Sequence, residues 1–451
     1  MISRVGAEQE PQGRWLQVLS AAVLAFLGGI AVAYYQLYPF RVLRPALHGI
    51  RALFEGRDHF LHPIQYPGEG VTVHDAARTA PGVTLLDGFR PEHPEGPSLW
   101  IVDASGKVLH EWVVSATKIW PKNTYHDLGS PPTWDTLVHG SYLFPNGDVL
   151  FNFESIGLQR LDACGKVLWK LPYRTHHSVE RDSDGNFWVS GIAAQRSPEE
   201  QKRAYPALSP PFAEETAVQV SPDGKLLREI DLLKVLFASG HGELATFGYG
   251  KMVEQREREG RDVLLEITHL NDVQPLTVQL APKFPMFEAG DLLISFRDLN
   301  TMFVTSPGGQ LKWIDAHAMQ MQHDLDFEPD GQIVAFDNQS DWTFWGKGAP
   351  KGSRIAAIDP VTHAVSVRYP TPGAPRFYSS MTGKHQLLPN GNRLVTQGFA
   401  GRAFEIADDG TIVWEYVNAP FDATRVSEIH EATRYALDAE QVSSWPCAPR
   451  K

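Results

Sequence analysis

Residues 319–339 read MQMQHDLDFEPDGQIVAFDNQ. Asp330-Gly331 lies between two strand-like runs, and such a turn needs the positive φ that glycine adopts without steric cost. The stretch is therefore a β-hairpin, opened by His323 and closed by Phe336-Asp337-Asn338. The same layout recurs as HGSYLFPNGDVLFNF from His139, HHSVERDSDGNFWVSG from His176 and HQLLPNGNRLVTQG from His385. His139/Gly147, His177/Gly185 and His323/Gly331 share one spacing, which His385/Gly391 breaks.

A second hairpin occurs six times: LWIVDASGKVLHEW, LQRLDACGKVLWKL, AVQVSPDGKLLREI, MFVTSPGGQLKWID, IAAIDPVTHAVSVRY and AFEIADDGTIVWEY. Two hairpins make a four-stranded sheet, and repeated sheets that cannot bury their faces alone stack into a propeller. The expected fold is all-β, a six-bladed β-propeller over residues 64–451. That allows roughly 65 residues per blade against ~40–45 in a compact one. The insert 193–214, rich in proline and charge, and the insert 250–261, with alternating charges, absorb the excess as solvated loops or short helices. Trp169, Trp313 and Trp414, each four residues after a turn glycine, are read as blade-to-blade packing.

Trp15 to Leu37 contains no charged residue. As a helix it reaches roughly 34 Å, enough for a bilayer core of about 30 Å. The expected order is a short tail (1–14), a single N-terminal transmembrane helix (15–38), a juxtamembrane amphipathic segment (39–63) and the propeller. Arg41, Arg44 and Arg51 follow the span whereas Arg4 and Arg14 precede it, a count that leans slightly against export of the propeller. A net charge of −12 argues against a nucleic-acid partner. Cys164 and Cys447 form neither a zinc pattern nor a disulfide framework, and Cys164 is read as a small core residue.

A propeller's innermost strands ring its channel, so histidines that open successive blades converge in space. They form a site for an anion or for proton transfer. The ordered set THLNDVQPL, GDLLISFRDLNTMFV, QHDLDFEPDGQIVAFDN, LPNGNRLV and GRAFEIADDGTIVWEY resembles the arylsulfotransferase family. The resemblance runs from about Val71 to Tyr435. It implies a periplasmic six-bladed propeller that moves a sulfuryl group from an aryl sulfate to a phenol through a sulfohistidine, with no cofactor and no metal.

Carried over residue by residue, the resemblance makes His269 and His323 catalytic candidates, together with Arg354, the nearest basic residue to a family arginine absent here; the repeat adds His177 and His385 as histidines that open blade hairpins. Arg297, Asn271 and Asn338 become substrate-binding candidates. The position of the family nucleophile aligns with Arg402, whose guanidinium clamps sulfate but does not attack it. His323 is then a supporting ligand, and His385 or another channel histidine is the carrier. The alternative is a non-catalytic propeller, attached to a membrane complex, that keeps an anion pocket without the nucleophile. A quinoprotein dehydrogenase, suggested by the Asp and Trp of LDACGKVLWK, is the weakest reading.

Overall fold

The structure, a computed structural model, describes residues 12–34, 60–93, 96–121, 136–259, 266–316, 318–340 and 352–447. Six antiparallel sheets carry the repeat. Blades 2, 3, 5 and 6 start on the four histidine-led hairpins, with inner strands Val138–Leu143, Arg174–Arg181, His323–Phe327 and Lys384–Leu387. All six copies of the second hairpin become the third and fourth strands of successive blades. Blade 6 gains a fifth, outer strand, Gly70–His74.

The two remaining first hairpins have no contiguous signature. In blade 4, strands Leu270–Pro275 and Leu292–Phe296 are separated by an insert holding a short 3-10 helix. In blade 1 the inner strand Ile429–Tyr435 comes from the far end of the chain and pairs with Val83–Gly88. That pairing closes the ring without a free inner edge.

Blade faces are packed by alternating apolar residues. Leu292, Ile294, Phe296 and Phe303 of blade 4, for example, are fully buried with Leu232 and Leu236 from the helix Leu232–Ala238. The tryptophans tie blades together as expected. Trp169 donates to the Pro222 carbonyl of blade 3 at 3.0 Å, Trp414 donates to the Ala104 carbonyl of blade 1 at 3.0 Å, and Trp313 stacks on His363 of blade 5. The insert 193–214 holds the helix Pro198–Ala204. The second insert belongs to a helix longer than expected, Gly242–Glu259.

Two expectations need correction. Cys164 is no free core thiol: it is disulfide-bonded to Cys447, with Cα atoms 5.5 Å apart. The two lie 283 residues apart, which is why spacing alone did not suggest the pair. Part of the expected juxtamembrane segment, Leu61–Pro63, is a strand paired with Arg425–Ser427; positions 39–59 lie outside the described residues. The N-terminal helix Gln12–Tyr34 belongs to a unit separate from the propeller. Among the described residues no helix is long and apolar enough to cross a membrane; the expected span ends at Tyr38, beyond the described part of the run.

The inner strands carry the feature that makes a site. Five of the six contain a register shift near their start, and the extra residues fall at His430, His139-Gly140, His177-Ser178, Asn271 and Asp324. A bulge re-aims the side chain it carries. His177 and Asp324, at two of these bulges, accordingly sit at φ of about +50°, as does His269 just before its strand. Gly140 has φ +87°, and a Cβ there would collide with the His177 carbonyl oxygen, which also accepts from Asn152 at 3.0 Å. Gly140→Ala is expected to cost about 2–4 kcal/mol and to displace His177, read as a lower thermal midpoint and altered histidine side-chain resonances.

Candidate functional site

At the channel each blade presents one basic residue near the start of its inner strand: His430, His139, His177, His269, His323 and Lys384 for blades 1 to 6. His139 and His177 have ring centroids 3.9 Å apart. His177 lies 5.0 Å from His269 and 6.5 Å from His323, and His139 lies 6.2 Å from His430. Five of these six residues, with Asn271, line one small cavity. His269 stands edge-on behind His177.

Two kinds of imidazole meet here. His139, His269 and His430 are each backed by a carboxylate: Nδ1 of His139 by Glu154 at 3.1 Å, Nδ1 of His269 by Glu266 at 2.9 Å, and Nε2 of His430 by Glu428 at 2.8 Å. Burial pushes Glu266 and Glu428 up. The hydrogen bonds and charge of their imidazoles outweigh it and bring each carboxyl down to about 2. These acids stay ionised.

His323 is backed by an amide. Its Nδ1 faces the Asn338 Oδ1 at 2.7 Å and the Met321 carbonyl at 3.1 Å. The Asn338 amide nitrogen donates to the Ser379 and Thr382 carbonyls at 2.8 and 3.1 Å, so its oxygen is the atom turned to His323. Both neighbours of Nδ1 are acceptors, so Nδ1 carries the proton and Nε2 the lone pair. Burial, reinforced by the Arg297 charge, holds His323 well below the ordinary histidine value and keeps it neutral at pH 7. Burial does the same for His177, whose Nδ1 also pairs with the His176 Nδ1 at 2.8 Å.

Below the ring lies a carboxyl-rich floor. The Lys384 ammonium sits 3.5 Å from Glu431 and 3.6 Å from both Glu180 and Asp324. Burial drives Asp324 up to about 6 and Glu180 up to about 7 although Lys384 opposes both shifts. A raised carboxyl pKa means that the fold favours the protonated form. The contribution of Glu180 is complete below its ordinary value of 4.5 and is lost as pH rises through about 7. Glu180→Gln, neutral throughout, is expected to gain about 1–3 kcal/mol over wild type at pH 8 and almost nothing at pH 4. Paired thermal melts at the two pH values measure it.

Of the residues expected from sequence, His177, His323 and Asn271 line the cavity. Asn338 holds His323 from behind, and His269 and Arg297 adjoin the ring. Asn271 donates to the Gln322 carbonyl at 2.7 Å and so fixes the peptide that precedes His323. His385, Arg354 and Arg402 are not among the lining residues. The His385 ring is buried between blades, where its Nδ1 accepts from Arg393 at 3.0 Å. Arg354 donates to Asp337 at 2.7 Å. Arg402, on the third strand of blade 6, donates to Glu415 at 2.6 Å and to Gln397 at 3.2 Å between the rings of Tyr66 and Phe404.

Sequence reasoning missed His430, Lys384 and the floor. The signal was present: IHEATRY is an inner strand with a histidine at its second position, as VHGSYL is for His139. Its hairpin partner is at the other end of the chain, so no local pattern marked it. His139, Glu154 and His177 stand close enough to share a metal ion, although the His177 Nδ1 already pairs with His176.

A family model described as arylsulfotransferase (ASST) matches residues 141–419. No curated protein matches the chain. Among solved structures, a Bacteroides caccae protein of unknown function is 11% identical over 78% of this chain and 98% of its own, with a TM-score of 0.47. A streptogramin B lyase is 13% identical over 80% of this chain and 86% of its own, with a TM-score of 0.38. The WD40 β-propeller domain of Doa1 is 10% identical over 85% of this chain and 100% of its own, with a TM-score of 0.41.

Proposed function

The chain belongs to the arylsulfotransferase family, and from that premise we propose that it moves a sulfuryl group from an aryl sulfate to a phenol through Nε2 of His323. The observation that carries this reading is the pair of acceptors facing the His323 Nδ1, which leaves a neutral imidazole with its lone pair on the other nitrogen. In the donor half, Nε2 attacks sulfur as the bond to the aryl oxygen breaks, and an N-sulfo imidazole forms. In the acceptor half, a phenol oxygen attacks sulfur and the imidazole leaves with its electron pair. Such a transfer asks the protein chiefly to position groups and to stabilise charge on the peripheral oxygens. Arg297 and the carboxylate-backed imidazoles of His139 and His269 are suited to that task.

Mass spectrometry after incubation with 4-nitrophenyl sulfate, without acceptor, tests it. The expected result is a sulfuryl adduct mapped to His323. An adduct on a different histidine, or none on folded protein, overturns the assignment. The non-catalytic alternative drew its support from Arg402, which the channel cavity does not include.

We further propose that the propeller is exported and held at a membrane by the apolar run that starts in the N-terminal helix. The Cys164–Cys447 disulfide supports export, because such bonds persist in oxidising compartments. The exposed Leu24, Phe26, Leu27 and Ile30 of the helix support attachment. Cell fractionation with protease accessibility separates the outcomes: propeller in the soluble cytoplasmic fraction rejects both parts.

A further inference from the structure

His430 was not selected by any motif, yet it has the arrangement of a general base. Glu428 bridges two imidazoles. One of its oxygens pairs with Nε2 of His62, and the other stands 2.8 Å from Nε2 of His430. Glu428 is ionised and can only accept, so both Nε2 atoms carry protons. In the neutral form of His430 the lone pair is thereby on Nδ1, and that atom is buried without a hydrogen-bond partner among the described residues. The His430 ring lines the same cavity as His323. At the outer end His62 is partly exposed and stacks on Phe399, with ring centroids 4.2 Å apart. Its strand, Leu61–Pro63, is held by pairing with Arg425–Ser427, directly before Glu428.

We propose that His430 is the general base for the acceptor phenol, held by Glu428, with His62 as the second positioning residue. This rests on the sulfuryl-transfer reading above and adds the proton's path. As the phenol oxygen forms its bond to sulfur, the bond from sulfur to the His323 Nε2 breaks and the phenolic proton passes to Nδ1 of His430. The resulting imidazolium is stabilised by the Glu428 carboxylate. It returns the proton to the departing phenolate in the next donor half, or to solvent, so the cycle closes without another reactant. The orienting carboxylate performs the same task here as in hydrolase triads, where it fixes the tautomer and stabilises the imidazolium without taking the proton.

The groups facing His430 fit this role. Asp87 lies 3.9 Å from its Nδ1, its carboxyl pushed well above the ordinary value by burial and by the Glu431 charge. His139 stands 6.2 Å away, and Phe60 and Phe89 pack edge-on against the ring.

Rapid mixing of the full chain with 4-nitrophenyl sulfate, followed by phenols of graded acidity, separates the two halves. 4-Nitrophenolate is a good leaving group and needs no acid. The acceptor half needs a base unless the phenol is already ionised. His430→Gln is expected to slow the acceptor half roughly 10²–10⁴-fold for phenol itself, far more than the nitrophenolate burst, and to lose less with acidic phenols. Glu428→Gln is expected to give the same selective pattern, smaller in size, with Glu428→Asp partly restoring it. His62→Asn, at the partly exposed end, is the variant least able to unfold the protein and is expected to follow in the same direction. Equal slowing of burst and acceptor transfer by His430→Gln, or loss independent of acceptor acidity, overturns the assignment. Absence of any burst in wild type instead rejects the His323 reading, so the two failures are distinguishable.

Discussion

His323→Ala is expected to lower aryl-sulfate turnover by roughly 10⁴-fold or more, in line with removal of a covalent nucleophile. The fold loses little, because the substitution removes a ring from a cavity wall. Asn338 keeps its bonds to the Ser379 and Thr382 carbonyls. Added imidazole should restore part of the turnover by taking the vacated place, a rescue that a merely misfolded variant would not show. Asn338→Asp probes the same assignment from behind. A carboxylate at 2.7 Å from Nδ1 would favour the imidazolium and raise a pKa that burial now keeps well below the ordinary value. The neutral fraction at pH 7 would fall, and the acidic limb of the rate profile would move to higher pH. An unshifted profile in Asn338→Asp, or full activity in His323→Ala, removes His323 from the chemistry.

Cys447→Ser is expected to cost about 2–5 kcal/mol of stability, since the disulfide closes a very long loop and restricts the unfolded chain. The bond also holds the segment that follows the ring-closing strand. After Tyr435 the chain enters the helix Ala439–Ser443, whose Val442 is buried. Trp445 then packs on His110 and donates to the Pro145 carbonyl at 3.2 Å before Cys447 reaches blade 2. Because that strand carries His430 and Glu431 into the channel, loosening it should reduce activity as well as the thermal midpoint. Cys164→Ser and the double variant should match Cys447→Ser, and reductant should bring wild type to the same value. A wild-type midpoint indifferent to reductant would show that the bond contributes nothing to the closed ring.

The sequence alone determined the propeller and the blade count. Strand alternation and turn glycines are local requirements, so six copies of a hairpin could be read directly, and His177 and His323 followed from where the histidine-led copies begin. The tertiary structure decided the rest. Which imidazole carries a free lone pair depends on Asn338, Glu154, Glu266 and Glu428, residues placed opposite their histidines by bulges and strand pairing that no local pattern encodes. Ring closure brings Ile429–Tyr435 beside Val83–Gly88, so His430 became visible only when the two ends of the chain met. Arg402 aligned with a nucleophile by sequence order, but on the third strand of its blade it sits away from the channel. The hairpin at 319–339 was legible as a blade opening; that its histidine is kept neutral by burial beside Arg297, and carries its proton on Nδ1 because of the amide behind it, was settled by the tertiary structure.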